Sequence, residues 1–237
     1  MKNAWLIARR ELASYFTSPI AYAVTAVFLL VAGYLFWVIL YYSREATMRY
    51  LFYNVTTLLL LVGPALTMRL IAEERRTGTI ELLLTSPVRD GEVIAGKFLA
   101  ALGLWALMLA LTLVYPALLK LFGNPDFGPI VSGYLGLLLA GGAVLALGVI
   151  ASTVTSNQVI AALVAFGLSL FLWLADALQG IATGALGSFF SYLSMSTHFY
   201  DLAKGVIDTR DVVFYLSLTF GSLFVATRLL ETRRWKL

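Results

Sequence analysis

The stretch EERRTGTIELLLTSPVRDGEVIAGK, residues 73–97, decides how this chain is organised. It is a polar, charge-rich segment between two apolar runs that are each long enough to cross a bilayer. A loop between membrane helices needs only a few residues. A loop that contains two short amphipathic pieces therefore predicts a docking surface rather than a simple connection.

The composition of the chain identifies the bilayer as its main solvent. The 237 residues are 60% hydrophobic and 13% charged, whereas soluble domains are roughly 45–50% apolar and about 25% charged. The charges cluster at the ends of the apolar runs, so the net charge of +4 does not indicate nucleic acid as a partner. With no cysteine and one histidine, disulfides, thiolate nucleophiles and cysteine-based metal sites are excluded.

The apolar runs predict an all-α integral membrane protein that forms one domain over residues 1–237. We expect a helix at 1–17 that lies in the membrane interface, because its apolar residues recur at helical spacing beside charged ones. Ser18-Pro19 then breaks that helix. Six transmembrane spans are predicted, at 20–42, 51–71, 98–119, 134–154, 159–175 and 212–230. We expect Asp90 to be the N-cap of the helix that becomes the third span.

The basic residues predict the orientation. With both termini on one side, the other side holds five of the 17 basic residues, namely Arg44, Arg49, Lys120, Lys204 and Arg210. The remaining twelve lie on the side of the termini and of the 73–97 loop. The positive-inside rule therefore places that loop and both termini in the cytoplasm. The protein is then a multi-pass protein of the cytoplasmic membrane, with residues 177–210 outside as short helices that dip into the outer leaflet.

Two motifs resemble catalytic or nucleotide-binding sites without meeting their requirements. Residues 91–97 match G-x-x-x-x-G-K, but Phe98 follows where a phosphate-binding loop needs Ser or Thr, and no apolar strand precedes the motif. His198 and Asp201 are three residues apart on a predicted helix, where a local hydrogen bond is the better interpretation. We therefore expect no catalytic residue, no metal site and no cofactor bound by this chain.

Two further patterns predict contacts. Ile80, Leu83, Leu84 and Pro87 follow helical spacing and form one apolar stripe in the 73–97 loop. This stripe fits the groove of a cytoplasmic partner; the alternative is that it lies on the bilayer surface. Small residues on the fourth span predict close helix packing or dimer contact, at Gly136, Ala140, Gly148 and Ser152.

Several segments of the sequence carry a family resemblance. They include E-E-R-R-T-G-T-I-E-L-L-L-T-S-P at 73–87 followed by G-K at 96–97, and R-R-E-L-x-S-Y-F-x-S-P-I at 9–20. Two more are N-P-D-F-G-P at 124–129 and H-F-x-D-x-x-x-G-V-I-D-x-R-D at 198–211. Taken together, these segments resemble the ABC-2 type transporter permeases, most closely the gliding-motility and nitrous-oxide-reductase-maturation branch.

The resemblance implies a permease subunit that forms a homodimer, or pairs with a related permease, and binds a separate ATP-binding subunit. That partner would hold ATP and Mg²⁺, and this chain would have no ATPase activity. Residues 1–17 would be a connecting helix, 177–210 a re-entrant pair, and 73–97 a coupling loop. The expected ATPase contacts are the four stripe residues together with Glu73, Glu74, Gly78, Thr79 and Glu81. An auxiliary extracytoplasmic protein is a further expected partner, and export the expected direction.

Three other functions compete with this one. A membrane scaffold could anchor an ATPase or a motility or secretion complex without its own translocation pathway. An intramembrane enzyme would need convergent polar groups at membrane depth, and the spans hold only scattered Thr, Ser and Asn. An ion-coupled transporter usually shows internal repeats and buried ionisable residues, and neither is evident in the sequence.

Overall fold

The structure is a computed structural model that describes residues 2–79, 88–180 and 184–234. Within those ranges the regular elements are helices and there is no strand. The first half contains α1 (Lys2–Thr17), α2 (Pro19–Ser43), α3 (Arg49–Thr67), α4 (Ala72–Thr77), α5 (Asp90–Leu111) and α6 (Val114–Phe122). The second half contains α7 (Phe127–Val154), α8 (Gln158–Trp173), a 3₁₀ helix (Ala175–Gly180), α9 (Ala185–Leu193), α10 (Met195–Lys204) and α11 (Thr209–Arg234).

Five helical stretches are long and apolar enough to cross a membrane, among the residues described. They are Pro19–Ser43, Arg49–Thr77, Asp90–Phe122, Phe127–Val154 and Thr209–Thr232. The helix at the predicted fifth span, α8, has 16 residues and is about 24 Å long at 1.5 Å per residue. A hydrocarbon core is about 30 Å thick. Five spans are therefore supported by length, and the sixth stays a prediction.

The centre of the bundle is α7, which packs against α3, α5, α8, α10 and α11. Its residues Ala140–Val149 are all buried, and its glycines admit large side chains from its neighbours. Phe52 of α3 lies against Gly133, and Trp105 of α5 lies against Gly141. The Trp105 indole also donates a hydrogen bond to the Leu137 carbonyl at 3.0 Å. The small residues of α7 therefore set how closely α3 and α5 approach it.

The third predicted span, 98–119, is not one continuous helix. It divides into α5 and α6 at Thr112 and Leu113. Pro116 lacks an N–H and its ring would clash with the carbonyl four residues earlier, that of Thr112. That carbonyl instead accepts a hydrogen bond from the Tyr115 N–H at 2.9 Å. The proline therefore ends α5 and starts a short helix at this end of the bundle.

The structure changes two local predictions, one for α1 and one for the start of α5. The helix at 1–17 is present as α1, but its buried residues include Ala4, Ala8 and Tyr15, while Trp5 and Phe16 are exposed. The face that carries Ala4 and Ala8 packs on α5. Helix α5 begins at Asp90 and its N-cap is Arg89, one residue earlier than expected. Whether α1 lies in the membrane interface stays a prediction.

Candidate functional site

The root of the 73–97 loop contains a buried charge cluster, formed by Glu11, Glu74 and Lys97. The Lys97 Nζ lies 2.8 Å from Glu74 Oε1 and 3.1 Å from Glu11 Oε1. Lys97 is only 1% exposed, and the two carboxylates come from α4 and α1. A lysine is buried this deeply only when it is paired. One ammonium group therefore ties α1, α4 and α5 together.

A second set of contacts fastens α1 to the end of α3. The Tyr15 hydroxyl donates to the Leu66 carbonyl at 2.6 Å, and Arg69 Nη1 donates to Ser18 Oγ at 2.7 Å. Arg69 also lies 3.8 Å from a Glu73 carboxylate oxygen. Burial raises the pKa of Tyr15 well above its ordinary value, so its hydroxyl stays neutral and remains a donor. The junction between α1 and α2 is therefore fastened to the end of α3 and, through Arg69 and Glu73, to α4.

The G-x-x-x-x-G-K motif is used for packing. A Cβ added to Gly96 would lie 2.7 Å from the Ile7 side chain and 2.8 Å from the Ala4 carbonyl oxygen. Only glycine lets α1 approach α5 this closely. Gly91 and Gly96 lie in the first two turns of α5, and Lys97 belongs to the charge cluster. In this structure the motif is therefore part of a helix and of its packing against α1.

The chain between α3 and α4 is joined to the end of α7. Ser152 Oγ accepts hydrogen bonds from the N–H groups of Ile71 and Ala72, each at 3.0 Å. Arg75 Nη1 donates to the Thr153 carbonyl at 2.8 Å. The two bonds to Ser152 satisfy N–H groups at the start of α4 that have no partner within the helix, and the Arg75 bond satisfies a carbonyl near the end of α7. The loop therefore begins from a helix turn fixed to the central helix as well as to α1 and α5.

At Gly78 the chain leaves α4 in a left-handed conformation. Gly78 is the C-cap residue with a φ of 73°, which favours glycine. The Thr77 hydroxyl donates to the Glu73 carbonyl at 3.0 Å and lies 2.9 Å from the Thr79 hydroxyl. Gly78 and Thr79 are exposed. The chain therefore turns tightly at Gly78 as it leaves α4.

Some of the expected ATPase contacts lie in α4 or directly after it, and the others lie outside the described residues. Glu73 and Glu74 belong to α4, and Glu74 is committed to Lys97. The expected contacts that lie outside the described residues are Ile80, Glu81, Leu83, Leu84 and Pro87.

The four small residues of the fourth span are buried between helices of the bundle. Gly148 faces Thr67 of α3, and Gly136 faces Phe199 and Leu202 of α10. Ala140 and Ser152 are 0% exposed. A step of four residues turns about 40° around a helix, so Gly136 and Gly148 point about 120° apart. These residues pack between helices of one chain, and a contact with a second copy must use other surfaces.

At the far end of the bundle, His198 pairs with Asp211 of α11 rather than with Asp201. His198 Nδ1 lies 2.7 Å from Asp211 Oδ1, and Nε2 lies 2.9 Å from the Tyr192 carbonyl oxygen. The imidazole ring stacks on Phe214 with 4.0 Å between ring centres. Both ring nitrogens lie within hydrogen-bond distance of an oxygen, so the ring is held on both sides. The pair ties α9, α10 and α11 together.

Sequence reasoning missed the importance of Glu11, Ser18, Arg69 and Lys97. One signal was available, because a lysine two turns inside an otherwise apolar helix requires a buried partner. The partner's identity had no such signal, since Glu11 is 86 residues away. Of the His, Asp and Glu residues that the structure describes, no group of three or more could hold a metal ion.

What this arrangement can do is mechanical. Helices α1, α4, α5 and α7 meet at the root of the 73–97 loop through buried ionic and hydrogen bonds. A force applied at the loop would therefore act on α1, α5 and α7 together.

A family model described as an ABC-2 family transporter protein matches residues 5–211, which include the charge cluster and the His198–Asp211 pair. No curated protein matches the chain.

Proposed function

Because this chain belongs to the ABC-2 family of transporter proteins, we propose that it is the permease subunit of an ATP-driven exporter. A separate ATP-binding subunit would bind ATP and Mg²⁺ and dock on the 73–97 loop. The observation that carries the proposal is the Lys97 ion pair to both Glu11 and Glu74. It gives the loop a stiff root in three helices, which a coupling element requires.

The transport step follows from that stiffness. Closure of the ATP-binding subunits would push on the loop, and the helices fastened at its root would move as nearly rigid bodies. Inverting a two-state preference from 1:99 to 99:1 takes about 5.5 kcal/mol of differential interaction. A loop attached by a single flexible connection would lose much of that energy in local bending. The contacts of Lys97, Ser152 and Arg75 oppose such bending.

The same proposal fixes the orientation in the cytoplasmic membrane. Both termini and the 73–97 loop would lie in the cytoplasm, with α9 and α10 on the outside. Because the chain has no cysteine, single cysteines at Thr79 and Glu45 test this directly. A membrane-impermeant maleimide should label Glu45→Cys in intact cells and Thr79→Cys only after lysis. The reverse pattern would refute the orientation.

The quaternary arrangement is also proposed. Two permease copies, or one copy and a related permease, would form the complex, through surfaces other than Gly136, Ala140, Gly148 and Ser152. The branch-like motifs at 9–20 and 198–211 favour an auxiliary extracytoplasmic protein, as in the gliding-motility and nitrous-oxide-reductase-maturation permeases. The outer helices α9 and α10 are where such a protein would bind.

Two substitutions in the loop test the coupling role. Leu83→Asp would place a charge on the apolar stripe, and Gly78→Pro would impose a φ near −65° where the chain has 73°. Each variant should insert in the membrane as the wild type does. Each should also lose co-purification of the ATP-binding subunit, or lose ATP hydrolysis that depends on transport. The readouts are affinity purification from membranes and ATPase assays of the reconstituted complex.

Matched variants separate coupling from damage. Gly78→Asn keeps access to a positive φ, and a Cβ at this position meets nothing within 4 Å, so coupling should persist. Leu83→Met keeps the apolar stripe. If Leu83→Asp and Gly78→Pro both bind and couple as the wild type does, the 73–97 loop is not the coupling element. Partner binding without any ATP-dependent conformational change would instead favour the membrane scaffold.

A further inference from the structure

A cavity of about 390 Å³ lies at the far end of the bundle, where α3 begins, α8 ends and α10 passes between them. Its aromatic lining consists of Tyr53, Trp173 and Tyr200. Tyr53 and Tyr200 lie with their ring centres 5.9 Å apart, and the Tyr53 hydroxyl donates to the Tyr200 carbonyl at 3.4 Å. This volume is within the range of small-molecule sites in proteins.

Two carboxylates complete the cavity, and its lining includes no basic residue. Asp176 belongs to the 3₁₀ helix and Asp201 to α10, and both are exposed. Neither forms an ion pair with a basic side chain in the described part of the chain. Arg49 acts electrostatically on Tyr53 but does not line the cavity. Negative charge beside three electron-rich rings favours a cation as the occupant.

The aromatic wall already binds an ammonium group from the chain itself. The Lys204 Nζ lies 3.5 Å from the centre of the Tyr200 ring. Lys204 is one turn beyond Tyr200 on α10, so its flexible side chain reaches back over the ring. This contact identifies Tyr200 as a cation-binding surface. Lys204 does not itself line the cavity, so its ammonium group competes with an entering cation only for the Tyr200 ring.

We propose that this cavity binds a small organic cation of the alkylammonium class, in competition with the Lys204 ammonium group. The aromatic rings would contact the alkyl groups of the cation, and Asp176 and Asp201 would balance its charge. Ser196 and Thr197, which also line the cavity, offer hydroxyls to a polar substituent. A metal ion fits less well, because Ca²⁺ takes 6–8 oxygen ligands and the rings would contribute none.

Choline tests the proposal, because its uncharged isostere 3,3-dimethyl-1-butanol has the same shape. Binding would be measured by calorimetry on the full chain in detergent, without an ATP-binding subunit and at constant ionic strength. We expect choline to bind in the millimolar range and at least about tenfold more tightly than the isostere. Asp176→Asn and Asp201→Asn should each weaken choline binding, by up to about fivefold. Lys204→Met should tighten it by about two- to fivefold, because the internal competitor is gone.

The control is Glu45→Gln, which removes an exposed carboxylate at the same end of the bundle but outside the cavity, and it should bind choline as the wild type does. Three results would overturn the proposal. Equal affinities for choline and its isostere would mean that charge is not recognised. Unchanged affinity in both aspartate variants would place binding elsewhere. Absence of choline binding in both the wild type and Lys204→Met would exclude the site. None of these results depends on whether the 73–97 loop binds an ATPase.

Discussion

Replacement of Lys97 by methionine would be the most damaging single change at the buried charge cluster. The side chains have similar length, so the change removes the charge and keeps most of the volume. At 2.8 and 3.1 Å, each ion pair has a Coulomb energy of about 5–6 kcal/mol at an effective dielectric constant of about 20. Desolvation of the ions offsets much of this energy, and breaking a buried pair costs about 3–5 kcal/mol net.

Removing one carboxylate should cost less than removing the lysine. Glu11→Gln leaves Lys97 paired with Glu74, so the cost falls to about 1.5–3 kcal/mol, the value of one charged hydrogen bond. Lys97→Met instead leaves the two carboxylates without the ammonium group between them, and Glu74 then has no ion-pair partner among the described residues, whereas Glu11 keeps the exposed Arg10 at 3.1 Å. A triple variant that adds Glu11→Gln and Glu74→Gln to Lys97→Met removes both negative charges and should recover most of the loss.

The measurement is equilibrium unfolding in mixed detergent micelles with increasing dodecyl sulfate, followed by tryptophan fluorescence. Trp105 is fully buried between α5 and α7 and reports the bundle. We expect free energies of unfolding in the order wild type, Glu11→Gln, triple variant and Lys97→Met, from highest to lowest. Wild-type stability for Lys97→Met, or a triple variant no more stable than Lys97→Met, would refute this account of the cluster.

The remaining predictions concern the helix contacts. Gly148→Ala places a methyl group against the Thr67 side chain and should lower the free energy of unfolding by about 1–3 kcal/mol. Thr67→Ala in the same chain should recover part of that loss in the same unfolding assay. His198→Phe keeps an aromatic ring beside Phe214 but leaves the buried Asp211 unpaired, so it should cost about 3–5 kcal/mol. His198→Phe with Asp211→Leu should restore stability; if the double variant is no better, the pair does not fasten α10 to α11.

Much of the fold could be predicted because its signals are local. Charge-free apolar runs identified the long helices, and Ser18-Pro19 separated α1 from α2. Gly78 has the positive φ that a tight turn at the end of α4 requires. One local prediction is wrong, since Arg89 rather than Asp90 is the N-cap of α5. The break at Pro116 lies within one stretch, Asp90–Phe122, that is long and apolar enough to cross a membrane.

The site could be predicted only in outline, because its chemistry depends on residues distant in the sequence. The sequence places Lys97 in a motif that lacks the other requirements of a phosphate-binding loop, and Glu11 in a helix that is predicted to lie in the membrane interface. The sequence around each residue does not indicate its partner, because tertiary packing brings the two together. The same reason explains why Asp201, three residues from His198, was preferred to Asp211, which the turn at Gly205 brings back to the ring.

The shortness of α8 has a consequence for the lipids around it. At about 24 Å it falls several ångströms below the thickness of an ordinary hydrocarbon core, and its exposed side includes Val159, Leu163 and Phe171. Where α8 crosses the bilayer as predicted, acyl chains that cover this side would compress or tilt, at a fraction of a kcal/mol for each ångström of mismatch. Such a crossing would favour a locally thinned membrane along one flank, and vesicles of short-chain lipids should then accommodate the protein better than those of long-chain lipids.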